Sequence, residues 1–310
     1  MIRKLPFMLI ALCFLLSCGG NDPLDIKPED DIKPEQPEKP SEPEEPEDPE
    51  KPETKNKRIK TLKIDRPSGL FTEDKVTYDE QGRITRIESH IENDGWFDLF
   101  KYDFVTTLTY KDKGVINEIT CNGQSYKQIL QINETGYVGK LIYNEKEGWN
   151  DIFEYWGSGH LKIKDDFFSY QYEDGNLVAI TNTKGDAPYL IEPGSIPNKV
   201  GISSILLSGE YNTLDYSFLG DSDFDIAIHN SFYLYYSGLY GNPSKNLEAS
   251  ITSGSYSLYY EYDLDEEGYP KKIYCTELDN GMPISSTESE EAFTASIESV
   301  SYTHLTLPTT

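Results

Sequence analysis

Val76-Thr77-Tyr78-Asp79-Glu80-Gln81-Gly82, followed by Ile87, is the stretch from which the fold can be read. It alternates apolar and polar residues with period two, breaks at a polar turn, and resumes its alternation beyond a glycine. The same signature returns as Leu108-Thr109-Tyr110-Lys111-Asp112-Lys113-Gly114 with Ile119, and as Leu130-Gln131-Ile132-Asn133-Glu134-Thr135-Gly136 with Leu141. A shortened copy, Tyr170-Gln171-Tyr172-Glu173-Asp174-Gly175 with Ile180, precedes a last full one, Tyr262-Asp263-Leu264-Asp265-Glu266-Glu267-Gly268 with Ile273. Each reads as a β-hairpin. A turn that rejoins an antiparallel ladder needs a residue at positive φ, and glycine accepts this without a Cβ clash. Asp174-Gly175 suits the tighter type I′ turn. The flanking Tyr, Val, Ile and Thr pack well on a pleated face. Five such hairpins predict an all-β domain over residues 58–299, an antiparallel meander of ten or more strands.

A larger repeat overlies the small one. Asp94-Gly95-Trp96-Phe97-Asp98-Leu99-Phe100-Lys101-Tyr102 matches Glu147-Gly148-Trp149-Asn150-Asp151-Ile152-Phe153-Glu154-Tyr155 at an offset of 53 residues. Two hairpins with an aromatic insert therefore occur twice, the mark of a propagating sheet. A sheet of this many strands curls or closes into a barrel, which removes its exposed edges.

The N-terminal segment, residues 1–57, has a different character. Arg3 and Lys4 precede an apolar run, Leu5 to Leu16, too short to span a bilayer as a helix, so residues 1–17 read as a signal peptide. Leu15-Leu16-Ser17-Cys18 resembles the bacterial lipobox, which implies acylation of Cys18 and a membrane partner reached through its acyl chains. From Asp22 to Thr54 fourteen acidic residues face four lysines, with proline at every third position from Pro34 to Pro52. That is the polyproline II period in a chain with too little apolar surface to fold. Residues 18–57 are expected to form a semi-rigid stalk. Gly19 after the lipidated cysteine lacks the Asp that retains enteric-type lipoproteins at the inner membrane. The expected location is therefore the outer membrane, facing either the cell surface or the periplasm. Residues 300–310, Val300-Ser301-Tyr302-Thr303-His304-Leu305-Thr306-Leu307-Pro308-Thr309-Thr310, read as a translated library adaptor rather than native sequence.

The element Gly238-Leu239-Tyr240-Gly241-Asn242-Pro243-Ser244-Lys245-Asn246-Leu247 follows Asn212-Thr213-Leu214-Asp215-Tyr216 and precedes Asp265-Glu266-Glu267-Gly268-Tyr269-Pro270-Lys271-Lys272-Ile273. In this order these elements resemble domain of unknown function 4595, a family of Bacteroidetes lipoproteins described as porin-like. The resemblance covers most of residues 58–299. It implies a curled, barrel-like sheet and brings no known activity. It does not imply membrane insertion, because the strands carry charges where a lipid-facing band is apolar.

Of the net charge of −26, −18 remains once the stalk and the signal's Arg3 and Lys4 are set aside, and an acidic domain of this kind repels phosphate backbones and argues against nucleic acid as a partner. Once Cys13 leaves with the signal and Cys18 takes lipid, Cys121 and Cys275 remain; they could pair, but two cysteines make no disulfide framework. Asp221-Ser222-Asp223-Phe224-Asp225 opens like a calcium loop. It has Ile226 where that loop requires Gly and Phe232 where it requires Glu, so a strand with inward Phe224, Ile226 and Ile228 is expected instead. His90, His160 and His229 lack a second ligand at metal spacing, so no metal and no cofactor are expected. Ser253-Gly254-Ser255 lacks a nucleophile elbow. Phe232-Tyr233-Leu234-Tyr235-Tyr236 is expected to be strand packing. Trp96 and Trp149 occupy equivalent positions, with Asp98 and Asp151 two residues on, an arrangement that suits stacking on a sugar ring. The competing expectation places both indoles inside the barrel. The reading is thus a non-catalytic binding or scaffold lipoprotein with a protein or glycan ligand. The alternative is a carbohydrate-binding lipoprotein using Trp96 and Trp149, and the third is a glycan hydrolase.

Overall fold

The computed structural model describes residues 56–93, 100–143, 150–208 (without 166, 183, 184 and 186), 232–283 and 291–302. The signal segment, the Cys18 anchor and almost all of the stalk lie outside these residues.

The predicted alternation resolves into strands β1 (Asn56–Asp65), β2 (Leu70–Tyr78), β3 (Ile84–Asn93), β4 (Phe100–Lys111), β5 (Gly114–Cys121) and β6 (Gln124–Ile132). Next come β7 (Val138–Tyr143), β8 (Asn150–Tyr155), β9 (Leu161–Lys164), β10 (Phe168–Glu173), β11 (Asn176–Asn182) and β12 (Tyr189–Pro197). After helix α1 (Ser204–Ser208) follow β13 (Asn246–Ser253), β14 (Tyr256–Leu264), β15 (Pro270–Asp279), β16 (Met282–Pro283) and β17 (Glu291–Tyr302). Each strand up to β16 pairs antiparallel with its predecessor, and β17 pairs with both β15 and β1. The two-residue β16 hangs on β15 alone, so sixteen strands form a closed antiparallel ring. The expectation of an all-β meander that closes is met.

The hairpin chemistry is the predicted one at four of the five turns. Asp174 and Gly175 both have positive φ, 48° and 81°, the type I′ geometry. Asp79, Asn133 and Asp265 each cap their own turn: the side-chain Oδ1 accepts from the backbone N–H groups two and four residues on. Gly114 is the exception, since it is absent from the positive-φ glycines and begins β5 after the two-residue turn Asp112-Lys113. A Cβ there would stand 2.6 Å from the Leu130 carbonyl oxygen, so close backbone approach explains this glycine.

Alternation decides which face is inside. Ile59, Leu62, Ile64, Val76, Ile87, Leu108, Val115, Leu130 and Ile273 point into the lumen and are buried. Lys63, Lys75, Arg86, Glu88, Lys101, Glu118, Glu261 and Lys272 are exposed on the outer wall. Directly opposed charges pair across it, as Lys63 does with Glu73 at 2.9 Å. This is the reverse of a membrane barrel, which is apolar outside and polar inside.

A sixteen-strand lumen is wider than strand side chains alone can fill. The described parts of the connection between β12 and β13, residues 198–208 and 232–245, occupy it. Ile202, Ile205, Leu206, Leu207, Phe232, Leu234, Leu239 and Tyr240 are buried in the main core cluster. Contacts from this connection reach strands all around the ring. Tyr236 Oη accepts from the Ile59 N–H at 3.0 Å, where a bulge interrupts the β1–β17 ladder. Tyr233 donates to Asp74 at 2.9 Å, the Val138 N–H donates to the Leu239 carbonyl at 2.9 Å, and Tyr240 stacks on Phe153 at 5.0 Å. The 232–236 run is a helical turn with all five side chains buried, which corrects the expected strand. A short, wholly apolar run fits a buried helix as well as a strand, and periodicity cannot separate the two. Phe224, Ile226, Ile228 and His229 lie outside the described residues.

Candidate functional site

Because connections alternate between mouths, the capped turns at 79–83, 133–137 and 265–269 and the uncapped turn at 156–160 share one mouth with the β12–β13 connection. The ends of β3, β4, β7 and β8 that flank the two aromatic inserts lie at the other. Trp96, Asp98 and Trp149 lie outside the described residues. Asp151 is described, one residue into β8, and faces the lumen with Phe153 and Tyr155.

Asp151 is the centre of a polar cluster at the insert mouth. Its Oδ2 accepts from the Tyr143 hydroxyl at 2.6 Å and lies 3.2 Å from the Lys164 ammonium, whose side chain is 4% exposed. A lysine this deep persists only because a carboxylate neutralises it. Asp165 completes the cluster. Its backbone has φ 54°, its Oδ1 accepts from the Ile152 N–H, and its own N–H donates to the Ile152 carbonyl at 2.9 Å. Loss of solvent, and then a hydrogen bond to Asp151, push the Asp165 carboxyl up to about 7. Asp165 therefore keeps its proton toward neutrality and can donate it to Asp151. Sequence reasoning found Asp151 through the duplication but missed Lys164 and Asp165, which the β8–β9–β10 register brings to it.

A cleft of about 570 Å³ opens at the opposite mouth, lined by Asn133, Thr135, Tyr137, Tyr155, Trp156 and Ser158, with Glu154 at its edge. Trp156 occupies the first position of a turn with the same backbone bonds as the Asx-capped ones. Its N–H donates to the His160 carbonyl at 2.9 Å, and the Gly159 N–H returns to the Trp156 carbonyl at 2.8 Å. The indole N–H donates to the Tyr170 carbonyl at 3.2 Å, while 45% of the residue stays exposed. Tyr137 and Tyr155 pack with ring centroids 5.0 Å apart. Tyr137 donates to Asn242 Oδ1 at 3.1 Å, and the Asn242 amide donates to the Ser158 carbonyl at 2.8 Å. This tie holds the two turns to the lumenal segment. Gly159 and Gly241 permit it: a Cβ on Gly241, at φ 97°, would lie 2.6 Å from the Gly159 carbonyl oxygen. The signal was present in the sequence, since Phe153-Glu154-Tyr155-Trp156-Gly157-Ser158-Gly159 is a further copy of the hairpin pattern with Trp in place of Asp or Asn.

The remaining candidates are structural. His90 sits on the outer wall between Asp103, at 2.7 Å, and Glu92, at 3.3 Å; hydrogen bonding to Asp103 raises its pKa. His160 packs against Tyr172 at 4.5 Å, and burial lowers its pKa. Ser253-Gly254-Ser255 is the tight β13–β14 turn. Cys121 and Cys275 are buried and form no disulfide. No group of His, Cys, Asp and Glu suited to a metal occurs among the described residues.

Fold and wall thus define a closed, sixteen-strand antiparallel barrel of the porin-like type with an apolar, occupied lumen. The chain is similar to a solved porin-like protein from Bacteroides uniformis ATCC 8492, with a TM-score of 0.56 and 16% identity over 78% of this chain and 98% of that one. A second porin-like protein, from Bacteroides vulgatus ATCC 8482, aligns over the same shares at 10% identity with a TM-score of 0.30. The first likeness is one of fold. No known family profile and no curated protein matches the chain.

Proposed function

We propose that this protein is a lipid-anchored outer-membrane barrel that binds a ligand and performs no chemistry. On this reading residues 1–17 are removed, Cys18 carries the acyl chains, and the segment from Cys18 to the start of β1, two residues shorter than the expected stalk because Asn56 and Lys57 belong to β1, holds the barrel off the membrane. The Gly238–Leu247 element supports membership in the Bacteroidetes lipoprotein family that it resembles. The observation carrying the proposal is the polarity of the wall: charged side chains face out, and apolar ones fill the lumen where a channel would hold water. Such a barrel gains nothing from a bilayer and needs a separate anchor. The hydrolase reading finds no support at Asp151, whose carboxylate is taken up by the Tyr143 hydroxyl and the buried Lys164 ammonium.

Fractionation of cells expressing the wild type and Cys18→Ser tests this. The wild type is expected in the membrane fraction and the variant in the soluble fraction, with neither conducting in planar bilayers. Membrane retention of Cys18→Ser through a carbonate wash, or discrete conductance steps, would overturn the proposal.

A further inference from the structure

We infer that the cleft at Trp156 is a binding site for a neutral saccharide, an inference that rests on the binding-module reading above and names its ligand class. Among the described turns of this form at this mouth, Asp79, Asn133 and Asp265 spend their side chains on capping. Trp156 cannot cap. The turn forgoes that stabilisation and places an indole, 45% exposed, at the rim. A residue that breaks a local folding rule and leaves a large aromatic face in solvent points to function.

The surroundings suit a pyranose. The indole is oriented in advance by its hydrogen bond to the Tyr170 carbonyl and by Lys162 5.4 Å from its centroid. Tyr137 adds a second ring to the cleft, and Tyr155 holds it in place from below by donating to the Val138 carbonyl at 2.8 Å. Sugar C–H groups stack on such faces, while sugar hydroxyls donate to the Glu154 carboxylate and to the hydroxyl oxygens of Thr135 and Ser158, which keep lone pairs beside their own bonds to Asn133 and His160. The volume accommodates one or two sugar rings.

Charge selects against acidic ligands. The one charged lining residue is Glu154, balanced by Lys162 at 3.3 Å, so the cleft offers no surplus cation. A uronate or phosphate would also meet the field of a chain carrying −26. Loops at 133–137 and 156–160 are locked by the Tyr137–Asn242–Ser158 tie, so little ordering cost falls on binding.

The test titrates the detergent-extracted full chain with maltohexaose, cellohexaose, mannohexaose and laminarihexaose, with hexagalacturonate as the anionic counter-probe. Calorimetry and tryptophan fluorescence report binding. At least one neutral hexaose is expected to saturate, Trp156→Ala to weaken it about tenfold or more, and Trp156→Phe to retain most of it. Thr135→Trp, which fills the cleft from an exposed turn and leaves Trp156 in place, is expected to block binding even if Trp156→Ala does not fold. The inference falls if no neutral hexaose saturates, if hexagalacturonate binds best, or if Thr135→Trp binds like wild type. It falls equally if Trp96→Ala/Trp149→Ala abolishes binding while a folded Trp156→Ala does not. None of these outcomes touches the anchored, non-conducting barrel, which fractionation and conductance decide.

Discussion

Replacing Asp165 by Asn should stabilise the protein at pH 8 and leave its stability at pH 4 unchanged. In the fold the Asp165 carboxyl is held up to about 7, from an ordinary value of 3.8. A raised carboxyl means that the native state keeps a proton which the unfolded chain has already lost. Stability from this group is therefore undiminished below pH 4, falls as pH rises, and is fully lost above about pH 7. At about 1.4 kcal/mol per pKa unit the displacement corresponds to about 4 kcal/mol. Asp165 keeps part of its contact with solvent, so screening reduces this to about 1–2 kcal/mol. Asn reproduces the protonated acid: Oδ1 accepts from the Ile152 N–H, and the amide donates to Asp151. It also tolerates the φ of 54°. The assay is urea unfolding of wild type and Asp165→Asn at pH 4, 6 and 8. His90, whose pKa is raised, loses stabilisation over the same range, but it is common to both chains and cancels in the difference. A variant equal to or less stable than wild type at pH 8, or a difference that does not grow with pH, would refute the reasoning.

Removing the partner of the buried lysine tests the same cluster from the other side. Asp151→Ala should cost about 3 kcal/mol by stranding Lys164, and adding Lys164→Met should recover most of it in urea melts. Tyr233→Phe removes the donor that reaches Asp74 inside the lumen and should cost about 1–3 kcal/mol at neutral pH. Gly241→Ala should lose about 2 kcal/mol or more in thermal melts, because the residue is at φ 97° and its Cβ would meet backbone oxygen at 2.6 Å. Cys121 and Cys275 should resist a thiol reagent until the protein unfolds, and added reductant should leave the melting temperature unchanged.

The wall of this barrel was legible in the sequence because a strand's side chains alternate by covalent geometry alone. Val76 to Gly82 and its copies declare hairpins, and enough hairpins in series leave a sheet little choice but to close. The charged outer face was legible for the same reason, as was Asp151, through the duplication that places it. What fills the lumen was not. Phe232 to Tyr236 is apolar at every position, so it carries no period. Only the width of a sixteen-strand ring makes it a helical turn inside rather than another strand. Lys164 looks in sequence like any strand lysine, and its burial follows from the β8–β9 register that sets it opposite Phe153. Trp156 likewise becomes a rim residue only when the 133–137 turn and Asn242, distant in sequence, arrive beside it. Local chemistry therefore determined the strands, the turns and the outward face. Closure of the ring, which joins residues far apart in the chain, decided the lumen and both candidate sites.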